Sequence, residues 1–166
     1  MRKKFSKEYK DMMKQHKKKI MEYAKNASVD PFDWAPGLQV FVDHLYFMRD
    51  YYALGENVWA CEIEEHPSRE QCLNMIIAEY EAWNNCEDKY TKIFFKNEPD
   101  VDKKVESLLA QGYHLKEDKD PMFKDCIFLY LYEDHHENTE KMCKEYEYHR
   151  NRFFELVSEH LEYLWD

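Results

Sequence analysis

The chain has 166 residues, with 44% hydrophobic and 35% charged side chains and only three glycines and five prolines. That length supports one domain with a substantial core, because a chain of this size buries about 70% of its unfolded surface; so little Gly and Pro argues against a turn-rich β fold. The net charge of −10 is split: residues 1–25 carry ten basic and three acidic side chains, a local +7, and the 14 basic and 31 acidic ones left make the rest −17.

Phe5, Tyr9, Met12, His16, Ile20 and Tyr23 follow one another at steps of three and four. This predicts an amphipathic helix over residues 1–27 with lysines on its outer face. "NASVDP" at 26–31 breaks it, since Asn, Ser and Asp compete for backbone bonds and Pro removes a donor. Asp33 is then a candidate cap with Pro36 in the first turn, the stripe Leu38, Phe41, Leu45, Met48, Tyr52 predicts a second helix, and Gly55 is its stop. "SREQ" at 68–71 is a capping box. It starts a third helix whose buried line is Leu73, Ile76 or Ile77, Tyr80, Trp83, Tyr90 and Phe94.

Residues 97–121 are polar and turn-rich around Val105 to Leu109, which predicts a long connection holding one short helix. Asp120 and Pro121 look like a helix start, continued by Phe123, Ile127, Tyr130 and Leu131. "EDHHENTEK" at 133–141 reads as too polar for a core. From Met142 a last helix runs through Tyr146, His149, Phe153, Leu156 or Val157, His160 or Leu161, and Leu164, and the pattern leaves open whether 121–164 is one helix or two. The sum is an all-α, single-domain bundle of four or five long helices, with a basic N-terminal helix (1–27) and an acidic body (33–166).

Five cysteines without a CxxC pair fit a reducing compartment. Neither an apolar leader core nor a run of about 18 apolar residues occurs, so a cytoplasmic protein with no membrane partner is expected. The opposed charges favour docking of the basic helix on the acidic body of the same or another copy, hence a homo-oligomer. The −17 body would repel phosphate, so nucleic acid is not an expected partner.

Catalytic patterns are scarce. A di-iron bundle needs two Glu-x-x-His pairs on facing helices, and only Glu133-x-x-His136 has the spacing. There is no HExxH, GxSxG or P-loop, and no cofactor or metal is expected. His149 and His160, eleven residues apart on one helix face with Glu145 and Arg150 nearby, form the one candidate pair for an enzyme or a metal-binding bundle. The richer cluster is aromatic. Trp34, Tyr46, Arg49 and Tyr51, with Tyr80 and Trp83 from the third helix, read either as a ring-lined pocket whose arginine holds a nucleotide-like phosphate or as a core in which Arg49 pairs with an acid to tie helices together.

"DW" at 33–34, "MRDYY" at 48–52, "SREQCLNMI" at 68–76 and the terminal "FFELVSEHLEYLWD" resemble a group of small helical proteins encoded by bacteriophages. That group opens its second helix with an Asp-aromatic pair and ends in a Trp-Trp-Asp tail. Here Val42-Asp43-His44 stands where the group carries a basic residue, and Leu164-Trp165-Asp166 ends the chain. The resemblance implies a phage origin. The expectation that follows is a non-catalytic accessory protein of the host bacterial cytoplasm. It would bind and block or sequester a host component, either a defence protein or a nucleotide-derived signal, by stoichiometric capture.

Overall fold

The computed structural model describes residues 6–27, 35–54, 67–116 and 121–165. It is mostly helical, but a three-stranded antiparallel sheet corrects the all-α expectation. The order is α1 (Lys7–Ala27), α2 (Ala35–Ala53), α3 (Arg69–Asn84), α4 (Cys86–Tyr90), β1 (Thr91–Phe95), α5 (Val101–Ala110), β2 (His114–Lys116), a 3-10 turn (Pro121–Phe123), β3 (Cys126–Tyr130) and α6 (His135–Trp165). The packing divides into two compact units, residues 1–78 with 153–166, and residues 79–152. Phe5, the Asp33 cap, Trp34, the Gly55 stop and Asp120 lie outside the described residues.

In the first unit, α1 keeps the predicted stripe. Tyr9, Met12, His16 and Ile20 are half-buried while the lysines between them are exposed. The Ser6 hydroxyl accepts from the Tyr9 N–H at 3.1 Å, capping a free donor of the first turn. α2 buries two faces. Val42, Leu45 and Met48 form one buried side. The other side receives α1: His16 stacks on Phe47 at 4.4 Å, and Tyr9 meets Tyr51 at 5.6 Å. Burial on both sides accounts for the apolar and aromatic side chains that α2 carries beyond the single predicted stripe. Cys72, Leu73, Ile76 and Ile77 of α3 and Phe153, Leu156 and Leu164 of α6 complete the core of this unit. The capping box forms as expected, with Gln71 N–H donating to the Ser68 hydroxyl at 3.2 Å and Ser68 N–H to the Gln71 side chain at 2.9 Å.

The second unit is where the expectations change. The third helix ends at Asn84 rather than continuing through Phe94, and "TKIFF" is β1. "CIFLY", read as helical through Ile127 and Tyr130, is β3, the central strand. An apolar run this short fits either period, and its β-branched and aromatic content favours the strand once neighbours exist to pair with it. Phe128 and Leu129 point to opposite faces, and both are buried. The connection over 97–121 contains α5 and β2. Gly112, at φ 93, ends α5 in the left-handed region, and the Tyr113 N–H turns back to the Leu108 carbonyl at 3.1 Å.

The register pairs Ile93 with Phe128 and Phe95 with Cys126 on β1–β3, and Leu115 with Leu129 on β2–β3. The bonds Leu131 N–H to Tyr90 carbonyl and Lys96 N–H to Asp125 carbonyl bracket β1. Lys92 and Phe94 therefore face β3 with their backbone groups, and Thr91, Ile93 and Phe95 turn theirs outward. Two of those three outward donors are already used. Thr91 N–H reaches the Glu87 carbonyl, and Phe95 N–H the Glu98 carboxylate at 2.8 Å.

α6 is one helix of 31 residues. Asp134 caps it, accepting from the N–H groups of His136 at 2.7 Å and Glu137 at 3.1 Å. Those bonds hold the Asp134 carboxyl below the usual range. The polar segment 133–141 nevertheless supplies a core residue. Asn138 is 1% exposed because it accepts from Tyr132 N–H at 3.2 Å and donates to the Thr91 hydroxyl at 3.4 Å, so its burial leaves neither amide atom unpaired.

The two described glycines should respond oppositely to alanine. Gly112→Ala forces a side chain into the left-handed region and is expected to cost about 1 kcal/mol. Gly37 lies in α2 with open space at its Cβ, so Gly37→Ala is expected to add about 0.5–1 kcal/mol. Urea midpoints moving in the same direction for both would contradict these assignments.

Candidate functional site

A hydrogen-bonded set of titratable side chains lies in the second unit, and His149 is at its centre. Glu145 and His149 are one turn apart on α6, so they share a face. Across from them α3 supplies Glu79 and α4 supplies Lys89 and Tyr90. His149 Nδ1 is 2.6 Å from Glu79 Oε2, and its Nε2 is 3.7 Å from Glu145 Oε1. Glu145 accepts from the Tyr90 hydroxyl at 2.6 Å and from Lys89 Nζ at 2.5 and 2.8 Å. The Tyr113 hydroxyl donates to the Lys89 carbonyl at 2.7 Å, which also places α4.

The electrostatics follow from these bonds. Burial opposes ionisation of Glu145, but the hydrogen bonds from Lys89 and Tyr90 outweigh it and hold the carboxyl below its usual range. Tyr90 is pushed strongly upward by burial and by donating to Glu145, so it stays a neutral phenol. Burial also raises the Cys86 thiol, with the Glu145 charge adding to it, and this thiol donates to the Met142 carbonyl. A carboxylate-oriented imidazole is the usual frame of a general base. Here its second nitrogen faces a carboxylate already committed to Lys89 and Tyr90, and the raised pKa of the Cys86 thiol disfavours a thiolate there. The set works as a polar clasp joining α3, α4 and α6 within this unit.

The other residues expected at a site are distributed as follows. Arg49 lies 5.1 Å over the Tyr46 ring and pairs with Asp50, its neighbour on α2, at 2.8 Å; this ion pair ties no two helices together. Tyr51 belongs to the α1–α2 contact. Tyr80 and Trp83 meet edge to face at 6.0 Å and are 9% and 5% exposed, with Trp83 also packed on Tyr146, so their rings serve the core of the second unit. Arg150 donates to the Asn151 side chain at 3.3 Å. His160 is half-buried in the first unit, and Trp34 lies outside the described residues.

Sequence reasoning missed Glu79, Lys89 and Tyr90, which reach His149 and Glu145 only through tertiary packing. It also missed Arg69. That guanidinium lies 5.1 Å over Tyr163 and 5.8 Å over Tyr52, a fuller arginine-ring stack than the one at Arg49. The arginine of "SREQ" gave no signal beyond its place in a capping box. Among the described residues no group of three or more His, Cys, Asp or Glu is placed to hold a metal ion, and no helix is long and apolar enough to cross a membrane. No protein-family model matches the chain, and neither does any curated protein or solved structure.

The clasp sets a direction for pH dependence. The folded Glu145 carboxyl ionises below its ordinary value of 4.5, so the unfolded chain binds that proton more tightly. Its stabilisation is complete above that ordinary value and is lost as pH falls through the lower folded value. Glu145→Gln is expected to cost about 1–3 kcal/mol at neutral pH and to weaken the decline in stability on the acid side. Urea titrations of both proteins across the acid range check this, and parallel pH profiles would refute it.

Proposed function

We propose that this chain is a non-catalytic accessory protein of the bacteriophage kind, and that it captures a host protein through the open side of its small sheet. The observation that carries the reading is the exposure of Ile93 and Phe95, 55% and 56%, on one face of the edge strand β1. Large apolar side chains this accessible on neighbouring positions of one strand mark interaction surfaces more than chance does. Met122, at 79%, and Phe123, which packs on Phe128, extend the apolar character around β3.

Side chains rather than backbone would make the contact, because Glu87 and Glu98 already occupy two of the three outward N–H groups of β1. The distribution of the expected ligand-binding residues supports a protein target over a nucleotide-derived signal. Arg49 is paired with Asp50, and Tyr80 and Trp83 offer little ring surface. The acidic body would steer a partner with a basic surface. The phage reading rests on the quoted sequence segments, and the non-catalytic reading on the closed Glu79–His149–Glu145 clasp.

Tagged protein incubated with host lysate is expected to retain one host factor, and to lose it at high salt. Phe95→Asp should keep the melting temperature and weaken capture by about thirtyfold or more, the loss of one aromatic hot spot. Equal capture by both proteins would overturn this surface as the contact. A rise in melting temperature with a nucleotide, absent in Arg49→Ala, would replace the protein target with the small-ligand one.

A further inference from the structure

A different pair of side chains, in the first unit, carries a second reading. His16 of α1 and His44 of α2 approach with Nε2 and Nδ1 3.3 Å apart. Two imidazole nitrogens bound to one tetrahedral metal ion, each at about 2.0–2.1 Å, are separated by about 3.3–3.4 Å. The observed spacing is that edge of the tetrahedron. We propose that His16 and His44 form an inter-helical site for one divalent transition-metal ion of the zinc, nickel or copper class, which clamps α1 onto α2.

Three further observations favour it. The rings are held in place: His16 stacks on Phe47 at 4.4 Å with an 18° interplanar angle, and Phe47 lies one turn after Asp43 and near His44 on the same helix. The positions of the two rings are therefore set by packing before any ion arrives. Second, Asp43 is 7% exposed and its Oδ2 has no hydrogen-bond partner. A buried carboxylate oxygen left this way is costly, and a dication held by the two imidazoles would lower that cost through charge alone, since Asp43 is not grouped with them as a third ligand. Its charge already acts on His16. Third, burial lowers the pKa of both imidazoles. His44 and Lys19 lower that of His16 further, and Asp43 partly opposes this. Both shifts favour the neutral imidazole, the form that binds metal.

The donor chemistry fixes the class of ion. Two imidazoles suit zinc, copper and nickel, whereas magnesium and calcium require oxygen ligands. Two protein ligands leave coordination positions to solvent or to an outside donor, so binding is weaker than in a closed four-ligand site. Without metal the same nitrogens share an N–H···N hydrogen bond, which needs only one suitable tautomer on each ring.

The test uses the full chain, stripped with a chelator and titrated with zinc, nickel, cobalt and magnesium by calorimetry and thermal melting. One equivalent of zinc per chain is expected, with a rise in melting temperature and no response to magnesium. His16→Gln and His44→Gln should each weaken zinc binding beyond the roughly 10–100-fold that outer-shell changes cost, while His136→Gln, an exposed histidine, should leave it unchanged. His44→Cys restores a ligand, so its cobalt complex should show a thiolate charge-transfer band. That readout holds even if the glutamine variants loosen α1. Absence of binding in the wild type, or equal binding in the wild type and both glutamine variants, would overturn the site.

Discussion

Tyr90 is the residue on which the second unit depends. Its hydroxyl is bound to Glu145 of α6, its ring is buried, and its carbonyl accepts the Leu131 N–H that opens the β1–β3 ladder. One residue, through its side chain and its carbonyl together, thus stands where helix gives way to strand. Because side chains alternate along a strand, a shift of one residue at Tyr90 would turn Ile93 and Phe95 inward and Lys92 and Phe94 to the other face. The polar clasp and the exposed apolar edge are two ends of one arrangement, with the clasp setting the register that the edge displays.

Legibility in the sequence followed the length and strength of the periodic signal. The stripe of α1 and the capping box of α3 were plain because each is local, a matter of neighbours three or four residues apart. The strands were not, because runs of only three to five residues satisfy either period and only pairing decides between them. Asn138 shows the same limit in polar form. Nothing near it in sequence announces burial, and its reason for being inside is the pair Tyr132 N–H and Thr91 hydroxyl, the latter 47 residues away. At the candidate site, His149 and Glu145 were visible as a one-turn pair, while Glu79, Lys89 and Tyr90 came from other elements. The rings that looked most like a binding pocket turned out to serve packing at Tyr51, Tyr80 and Trp83.

The abundance of aromatics has a structural use that composition alone did not reveal. Half-buried rings line the contact between α1 and α2, where the lysine-rich α1 has few aliphatic residues to offer. A ring buries a large area through one or two rotatable bonds, so it secures such a helix at a small cost in side-chain entropy. The same economy places Arg69 between Tyr52 and Tyr163, where its stem and its charge both find company.

The plugged edge of β1 carries one more consequence. Under the proposed capture role, the protein would have to accumulate to at least the abundance of its target. At such concentrations an open strand beside exposed Ile93 and Phe95 would template a growing sheet of identical chains. By occupying the Phe95 donor, the Glu98 carboxylate removes a rung from that template and places a negative charge where a second copy would approach. Glu98 thereby guards the edge of β1 against pairing with a second copy while leaving the side chains of Ile93 and Phe95 exposed.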